Sequence, residues 1–179
     1  MDEIGEAMKK PNRIMQTDDI LLRAWTPDDA QWYVESRDEE VFRWTTERCD
    51  LTINDASEAI LQTNNKEDVL SFAITEKNND RLIGNIALVL DKSDRRCGEI
   101  MFWLAPWGRG RGLAGKAVEL LCRRTFEDLN LEKITAKILP ENNRSRRLLK
   151  RLGFQPLQLP ARQEQDDNYQ WLVLINQKK

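Results

Sequence analysis

A segment with three glycines in five residues has the clearest chemical potential in this chain. It runs Trp107-Gly108-Arg109-Gly110-Arg111-Gly112 and precedes a predicted helix that begins at Leu113. Because glycine has no β-carbon, such a loop can turn tightly and direct several backbone amides toward one point. The N-terminus of the following helix adds further open amides, and the two arginines add positive charge. The segment therefore predicts an anion site, and a diphosphate is the natural ligand.

Two well-known phosphate-binding loops do not describe this segment. A P-loop requires Gly-Lys-Ser/Thr at its end, whereas Gly112 is followed by Leu113 and Ala114. The spacing of Gly110, Gly112 and Gly115 does match the dinucleotide fingerprint, but the strands upstream predict a meander and not the start of a doubly wound sheet. A glycine-rich turn that only connects a strand to a helix remains an alternative at this point.

The chain contains no histidine, and this absence restricts its chemistry. It excludes Ser-His and Cys-His nucleophile pairs and most zinc sites. The three cysteines, Cys49, Cys97 and Cys122, are far apart and do not have metal-ligand spacing, so no metal is expected. Proton transfer must therefore depend on carboxylates, hydroxyls, lysine, a thiol or water.

Hydrophobic periodicity places these residues in a single mixed α/β domain. We predict a mostly antiparallel sheet of about six or seven strands with about four helices. The predicted strands are 20–25, 69–75, 82–91, 97–105, 132–139, 154–159 and 169–175, and the predicted helices are 26–37, 54–66, 113–129 and 142–152. Residues 1–18 are interpreted as an N-terminal extension and residues 19–179 as the domain.

Composition narrows the range of partners. A net charge of −2 over 179 residues argues against a nucleic-acid binder, which usually carries a basic excess. No apolar run is long enough to span a bilayer, and the first residues do not have the pattern of a secretory signal, so a cytoplasmic protein is expected.

Two separated motifs resemble the GNAT acetyltransferase superfamily. The first is Pro106-Trp107-Gly108-Arg109-Gly110-Arg111-Gly112-Leu113-Ala114, which has the Arg/Gln-x-x-Gly-x-Gly/Ala pattern of that family. The second begins at Asn142, continues through Ser145 and ends in Leu152-Gly153-Phe154. The opening Leu21-Leu22-Arg23-Ala24-Trp25 resembles the RimJ/RimL-type branch. The resemblance extends over about residues 20–176.

The resemblance implies acetyl-CoA as the co-substrate and a position for each part of it. In the family the strand before the loop splays from the next strand, and pantetheine lies in the gap. By this resemblance, the backbone of Phe102, Trp103 and Leu104 would contact pantetheine and the acetyl carbonyl. Asn142 would also bind the pantetheine arm. The amides of Arg109, Gly110, Arg111, Gly112, Leu113 and Ala114 would hold the diphosphate.

Two residues are candidates for the proton transfers of acetyl transfer. Glu99 resembles the glutamate that acts as general base in histone-type members, although an ordinary glutamate on a solvated strand face is an equal alternative, and Glu40, Glu47 and Asp91 are weaker ones. The usual acid is a tyrosine, but its position here is Leu149. RimL-like members use a serine of this helix near the sulfur instead, and by this resemblance Ser145 would be the acid, with a role confined to the first turn of its helix as the alternative.

The resemblance predicts direct transfer from acetyl-CoA to a primary amine in a ternary complex. Trp32, Tyr33 and Trp44 lie where the family builds its acceptor pocket, and helix packing is an equal interpretation for Trp32. The acceptor is left open between a protein N-terminus, such as that of a ribosomal protein, and a small-molecule amine. Carboxylates in the acceptor cavity would favour a polycation. A homodimer and an acyl-CoA sensor without turnover also remain open.

Overall fold

One open eight-stranded sheet forms the centre of the protein. The computed structural model describes residues 14–157 and 168–177. The strands are β1 (Ile14–Gln16), β2 (Ile20–Ala24), β3 (Val69–Glu76), β4 (Leu82–Leu90), β5 (Cys97–Leu104), β6 (Lys133–Ile138), β7 (Gln155–Pro156) and β8 (Gln170–Ile175). Their order is β1-β2-β3-β4-β5-β6-β8-β7, and all described pairs are antiparallel except β5 with β6. The predicted mixed α/β fold with a mostly antiparallel sheet is confirmed.

The described residues form five α-helices, four of which pack on the two faces of this sheet. They are α1 (Ala30–Glu35), α2 (Glu39–Trp44), α3 (Ile53–Asn65), α4 (Leu113–Asp128) and α5 (Asn143–Arg151). Leu120 and Leu121 of α4 and Leu149 of α5 belong to the main core on one face. The other face carries a smaller cluster around Trp25 and Ile60, under α1 and α3. Among the described residues, no helix combines the length and apolar character that crossing a bilayer requires.

Side-chain caps explain where three of the helices begin. Thr52 and Asp55 form a reciprocal capping box at the start of α3, with 3.1 Å from the Asp55 amide to the Thr52 hydroxyl. Asp38 caps α2 by accepting from the Val41 amide at 3.1 Å. Asn142 caps α5 through the Ser145 amide, also at 3.1 Å. The starts of these three helices are thus set by local polar residues.

The observed elements differ from the predicted ones at three places. The helix predicted over 26–37 ends at Glu35, and the separate six-residue helix α2 follows it. At the N-terminus, residues 14–16 of the predicted extension pair with β2 as strand β1, while residues 1–13 lie outside the described part. The strand predicted over 154–159 is confined to β7 in its described part, which ends at residue 157. Elements this short give too few residues for a period to emerge.

Gly84 allows β4 and β5 to approach closely beside the irregularity in β4. The register shifts there, since Ile74 pairs with Gly84 and Thr75 pairs with Leu82. A β-carbon on Gly84 would lie 2.3 Å from the Trp103 carbonyl oxygen and 2.5 Å from Leu104 Cδ2. A backbone oxygen cannot move aside without displacing β5. Glycine is therefore required at this position.

We expect Gly84→Ala to lower the free energy of unfolding by about 1–3 kcal/mol, the usual range for an overpacked interior. Urea denaturation monitored by tryptophan fluorescence measures this change. The matched control is Gly115→Ala in α4, where an added β-carbon meets no atom within 4 Å. Because alanine is the better helix former, this control should be neutral or slightly stabilising. Equal stability of the two variants would contradict the proposed close contact.

Candidate active site

A cleft opens where β5 and β6 separate. The two strands pair only through Cys97 with Lys133, Gly98 with Ile134 and Glu99 with Thr135. Beyond Glu99, β5 continues beside β4 as far as Leu104, while β6 continues beside β8. The space between them is part of a cavity of about 700 Å³. The splayed sheet predicted by the resemblance is confirmed.

Most of the residues singled out from the sequence line this cleft. Those that do are Trp44, Glu99, Phe102, Trp103, Leu104, Arg109, Gly110, Gly112, Leu113, Ala114, Asn142 and Ser145. Arg111, Trp32 and Tyr33 are not among its lining residues. The first motif ends at Ala114 and the second begins at Asn142, and the two therefore meet at one place.

The glycine-rich loop presents open amides to the cleft. Gly110 and Gly112 both have φ of +76°, a conformation that favours glycine. Gly112 is the N-cap of α4, and Lys116 is the residue whose amide donates back to the Gly112 carbonyl, at 3.3 Å. The amides in the first turn of a helix lack partners within the helix, and the helix dipole favours negative charge there. The amides from Gly110 to Ala114 have no backbone hydrogen-bond partner among the described residues, and the anion site stays a prediction.

The side chains of Arg109 and Arg111 differ from the expectation that they add charge to this anion site. Arg109 donates to both carboxylate oxygens of Asp38 at 2.7 Å, and its Nε donates to the Leu104 carbonyl at 2.9 Å. Arg111 is paired with Glu76 and holds the pKa of that carboxyl below its usual value. Both guanidinium groups therefore already have carboxylate partners, and the backbone amides are the open donors of the loop.

The Arg109 contacts fix helix α2 beside the cleft. Asp38 caps α2 and pairs with Arg109, which lowers the pKa of the Asp38 carboxyl. Arg109 also lies 3.1 Å from Glu40, and Glu40 lies 3.2 Å from Arg144 at the start of α5. These ion pairs join α2, the loop and α5 around the cleft. Sequence analysis missed Asp38, although an aspartate directly before two glutamates and an apolar residue is typical of an N-cap.

Glu99 lies at the point where the two strands separate. Its side chain is partly buried, and burial raises the pKa of the carboxyl, while Lys137 on β6 opposes that rise. Met101 and Trp103 follow at alternate positions of β5 and line the cleft with it. Glu99 is therefore a carboxyl group of raised pKa inside the cleft. The role of Glu99 as the base stays a prediction.

Asn142 and Ser145 lie together at the start of α5. The Asn142 side-chain oxygen accepts from the Ser145 amide, and this bond leaves the Asn142 Nδ2 group for other acceptors. Both residues line the cleft. Leu149, at the position of the usual tyrosine, is fully buried in the core and does not line it. Among the described residues of α5, Ser145 is the hydroxyl side chain that faces this space.

The three aromatic residues predicted for the acceptor pocket have different environments. Trp44 lines the cleft. Trp32 stacks on Trp103 with ring centroids 6.0 Å apart and lines neither this cleft nor the smaller cavity beside it, which agrees with the packing alternative. Tyr33 lines that smaller cavity, of about 300 Å³, and its hydroxyl donates to Glu47 at 2.7 Å. Burial and Glu47 together raise the pKa of the Tyr33 hydroxyl.

The cysteines are not arranged as nucleophiles or metal ligands. Cys97 and Cys122 are buried, and burial raises the pKa of both thiols, to about 12 for Cys122. A reactive thiol has a lowered pKa instead. Cys49 is exposed and lines neither cavity. Within residues 14–157 and 168–177, no group of three or more thiol or carboxylate side chains could hold a metal ion.

Relatives and structural neighbours of this chain are acetyltransferases. The N-acetyltransferase 9-like protein of Caenorhabditis elegans is 29% identical over 76% of this chain and 75% of its own length. The N-acetyltransferase YnaD of Bacillus subtilis is 27% identical over 87% of this chain and 93% of its own. The fold matches ribosomal-protein-S5-alanine acetyltransferase of Vibrio fischeri with a TM-score of 0.78, at 19% identity over 93% of this chain and 98% of that one.

Two neighbours were solved with coenzyme A compounds. Mycobacterium smegmatis RimJ, in complex with CoA-disulfide, matches with a TM-score of 0.78 at 18% identity over 94% of this chain and 90% of that one. Spermidine N-acetyltransferase of Vibrio cholerae, in complex with CoA and spermine, matches with a TM-score of 0.77. The identity is 18%, over 89% of this chain and 96% of that one. The model of the acetyltransferase (GNAT) domain family matches residues 19–155. The chain therefore belongs to the GNAT family and is an N-acetyltransferase.

Proposed function

We propose that this enzyme binds acetyl-CoA in the cleft between β5 and β6 and transfers its acetyl group directly to a primary amine. One observation carries the proposal. A strand edge without ladder partners, from Ile100 to Leu104, leads to the open amides at the N-terminus of α4. Such an edge can pair with an extended amide-containing chain, and the amides can hold a diphosphate.

Each part of the cofactor has residues that fit it. The β5 backbone at Phe102, Trp103 and Leu104 would contact the pantetheine amides and the acetyl carbonyl, and Asn142 Nδ2 would donate to the same arm. The amides from Gly110 to Ala114 would hold the diphosphate, whereas the Arg109 amide already donates to the Pro106 carbonyl at 3.3 Å. The bound cofactor supplies a thioester, which is an activated acyl group. Since the guanidinium groups of Arg109 and Arg111 are paired, the diphosphate would be bound mainly through the backbone.

Glu99 and Ser145 are assigned the two proton transfers. Glu99 would take a proton from the acceptor ammonium before the free amine attacks, directly or through water, and its raised pKa brings it closer to that of the amine. Ser145 would donate a hydrogen bond to the departing thiolate. No covalent enzyme intermediate is needed, because no described cysteine lines the cleft and the chain has no histidine to activate one.

The acceptor is a primary amine, either a protein N-terminus or a small molecule. The names of the neighbours include both types, since one acts on a ribosomal protein and another on spermidine. An α-amino group has a pKa of about 8, whereas that of an alkylamine is about 10.4, so an N-terminus is the easier acceptor to deprotonate. The proposed acceptors therefore include the N-terminus of a ribosomal protein.

A carboxylate placed among the loop amides should weaken acetyl-CoA binding. We expect Ala114→Asp to raise the Kd by at least about tenfold relative to Ala114→Asn, measured by titration calorimetry. The two side chains have nearly the same shape, and an acid in the first turn of a helix favours folding. Repulsion of the diphosphate is then the main difference between the two variants. Equal Kd values would contradict diphosphate binding at the start of α4.

Removing the Glu99 carboxylate should change the pH dependence of the reaction. Below the raised pKa of Glu99, log(kcat/KM) should rise with pH with a slope near one and then level off, because ionised Glu99 accepts the proton of the bound ammonium. We expect Glu99→Gln to lower kcat by about 10²-fold or more and to remove this plateau, so that log(kcat/KM) rises with slope one up to the pKa of the amine. Asp91→Asn is the control, since Asp91 is exposed and does not line the cleft. A plateau that is unchanged in Glu99→Gln would rule out Glu99 as the base.

Initial-rate kinetics separate direct transfer from the alternatives. With a primary amine as the second substrate, we expect double-reciprocal plots that intersect, because both substrates must be bound before transfer. Parallel lines would indicate a covalent acetyl-enzyme and contradict the proposal. Tight binding of acetyl-CoA without thiol release above background, tested with a panel of amines, would instead favour a sensor.

A further inference from the structure

The 300 Å³ cavity lies beside the cleft on the same face of the sheet. It is partly open to solvent and is lined by residues of α1, α3, β3 and the segment between α2 and α3. Its apolar walls are formed mainly by Trp25, Tyr33, Leu51 and Ile60. The remaining lining includes uncharged polar side chains, such as Thr63 and Ser71. The cavity is thus suited to an apolar group with a few hydrogen-bonding positions.

Strand register relates this cavity to the site of transfer. Ser71 of β3 lines the cavity, Met101 of β5 lines the cleft, and both pair directly with Ala87 of β4. Directly paired residues share a face of the sheet, so Ser71 and Met101 are two strand spacings apart, about 10 Å. Thr46 and Glu47 line both spaces and form the boundary between them. A molecule of ordinary length can therefore occupy both.

Glu47 is the carboxylate that both spaces share, and its oxygens already have several donors. Oε1 accepts from the Tyr33 hydroxyl at 2.7 Å and from Trp103 Nε1 at 3.1 Å. Oε2 accepts from Arg37 at 3.3 Å, and the Arg37 side chain is 1% exposed. Glu47 and Arg37 thus form a buried pair without net charge. This carboxylate is not available as the sole partner of a second cation.

The other charged groups near the acceptor side are also paired. Arg48 at the edge of the small cavity pairs with Asp50 at 3.0 Å. In the cleft, Glu40 pairs with Arg109 and Arg144. Among the described lining residues of the two spaces, Glu99 is the carboxylate outside such ion pairs, and it is assigned to the reacting amine. Within the described lining, a second ammonium group would therefore lose its water without gaining a free carboxylate, which is unfavourable.

We propose that the small cavity holds the part of the acceptor beyond its reacting amine, and that this part is uncharged and largely apolar. The assignment rests on the proposed function and names its substrate class. The acceptor is then an amine with one positive charge, whose body extends about 10 Å from the reacting nitrogen. A polyamine, with further ammonium groups at that distance, is disfavoured. Both a peptide with apolar residues after its N-terminus and a lipophilic small amine have this chemistry.

A matched pair of amines tests the charge preference. Octylamine and 1,8-diaminooctane have the same length and differ in the second ammonium group. We expect the wild-type enzyme to have a kcat/KM for octylamine at least about tenfold higher, because the second ammonium would be buried without a partner. Short peptides with leucine or with lysine at positions 2–4 provide the peptide version of the same comparison. A larger kcat/KM for the alkylamines than for the peptides would identify the acceptor as a small molecule. A larger kcat/KM for the peptides would identify it as a protein N-terminus.

Substitutions in α3 test the location. Ala59 lines the cavity yet is exposed, so a larger residue can be placed there without disturbing the core. We expect Ala59→Phe to lower the octylamine-to-ethylamine ratio of kcat/KM at least about fivefold, since ethylamine is too short to reach the cavity. The control is Gln62→Phe, which lies on the same helix, is exposed and lines neither space. In Ala59→Asp, the new carboxylate should improve use of the diamine relative to octylamine, because it gives the second ammonium group a partner.

The outcomes separate this assignment from the proposed function. Equal or better use of the diamine by the wild-type enzyme would overturn the charge assignment while leaving acetyl transfer intact. Equal effects of Ala59→Phe and Gln62→Phe on the octylamine-to-ethylamine ratio would overturn the location. If the enzyme binds acetyl-CoA but none of the amines causes thiol release, the transferase proposal and the acceptor assignment would be overturned together.

Discussion

The short pairing between β5 and β6 is the constraint on which the site depends. Three residue pairs join the strands before they separate, and each strand then continues with its other neighbour. Buried backbone groups need hydrogen-bond partners, so a strand edge that opens inside a protein calls for a ligand or water. The cleft lies within the sheet itself, and the main core under α4 and α5 remains continuous across it. Binding capacity is therefore obtained without a cavity in that core.

A second constraint is the set of ion pairs that joins the elements around this opening. Arg109 binds Asp38 with both arms of its guanidinium group and is 24% exposed, so this pair is stronger than an ordinary surface ion pair. Glu40 and Arg144 are more exposed and contribute less. The same pairs occupy the carboxylates that could otherwise attract a polycation. Positioning of α2 and the charge preference of the acceptor side thus have a common physical origin.

Sequence reasoning reached the parts of the site that are encoded locally. The glycine loop, the start of α4 and the Asn142–Ser145 turn are short motifs, and the structure places all three at the cleft. Sequence reasoning could not identify interactions between distant positions. Asp38 and Arg109 are 71 residues apart, and neither residue alone indicates that the arginine binds a helix cap and not a phosphate. The 300 Å³ cavity could not be predicted either. Its walls come from five separate segments, and the apolar residues of these segments have the sequence pattern of ordinary core residues.

The buried position of Leu149 affects which groups can donate and accept protons in the proposed reaction. A tyrosine there would have to leave the core to reach the cleft, so a single substitution would not restore the usual acid. Ser145 and water are then the proton donors for the departing thiolate, and both are weak acids. The proton acceptor for the amine is Glu99, which is partly desolvated. Such a site works best when the closed complex contains few competing charges, because unscreened charges in a low dielectric perturb proton transfer strongly. An acceptor with a neutral body meets this requirement, since it brings one ammonium group, and Glu99 removes its charge before attack.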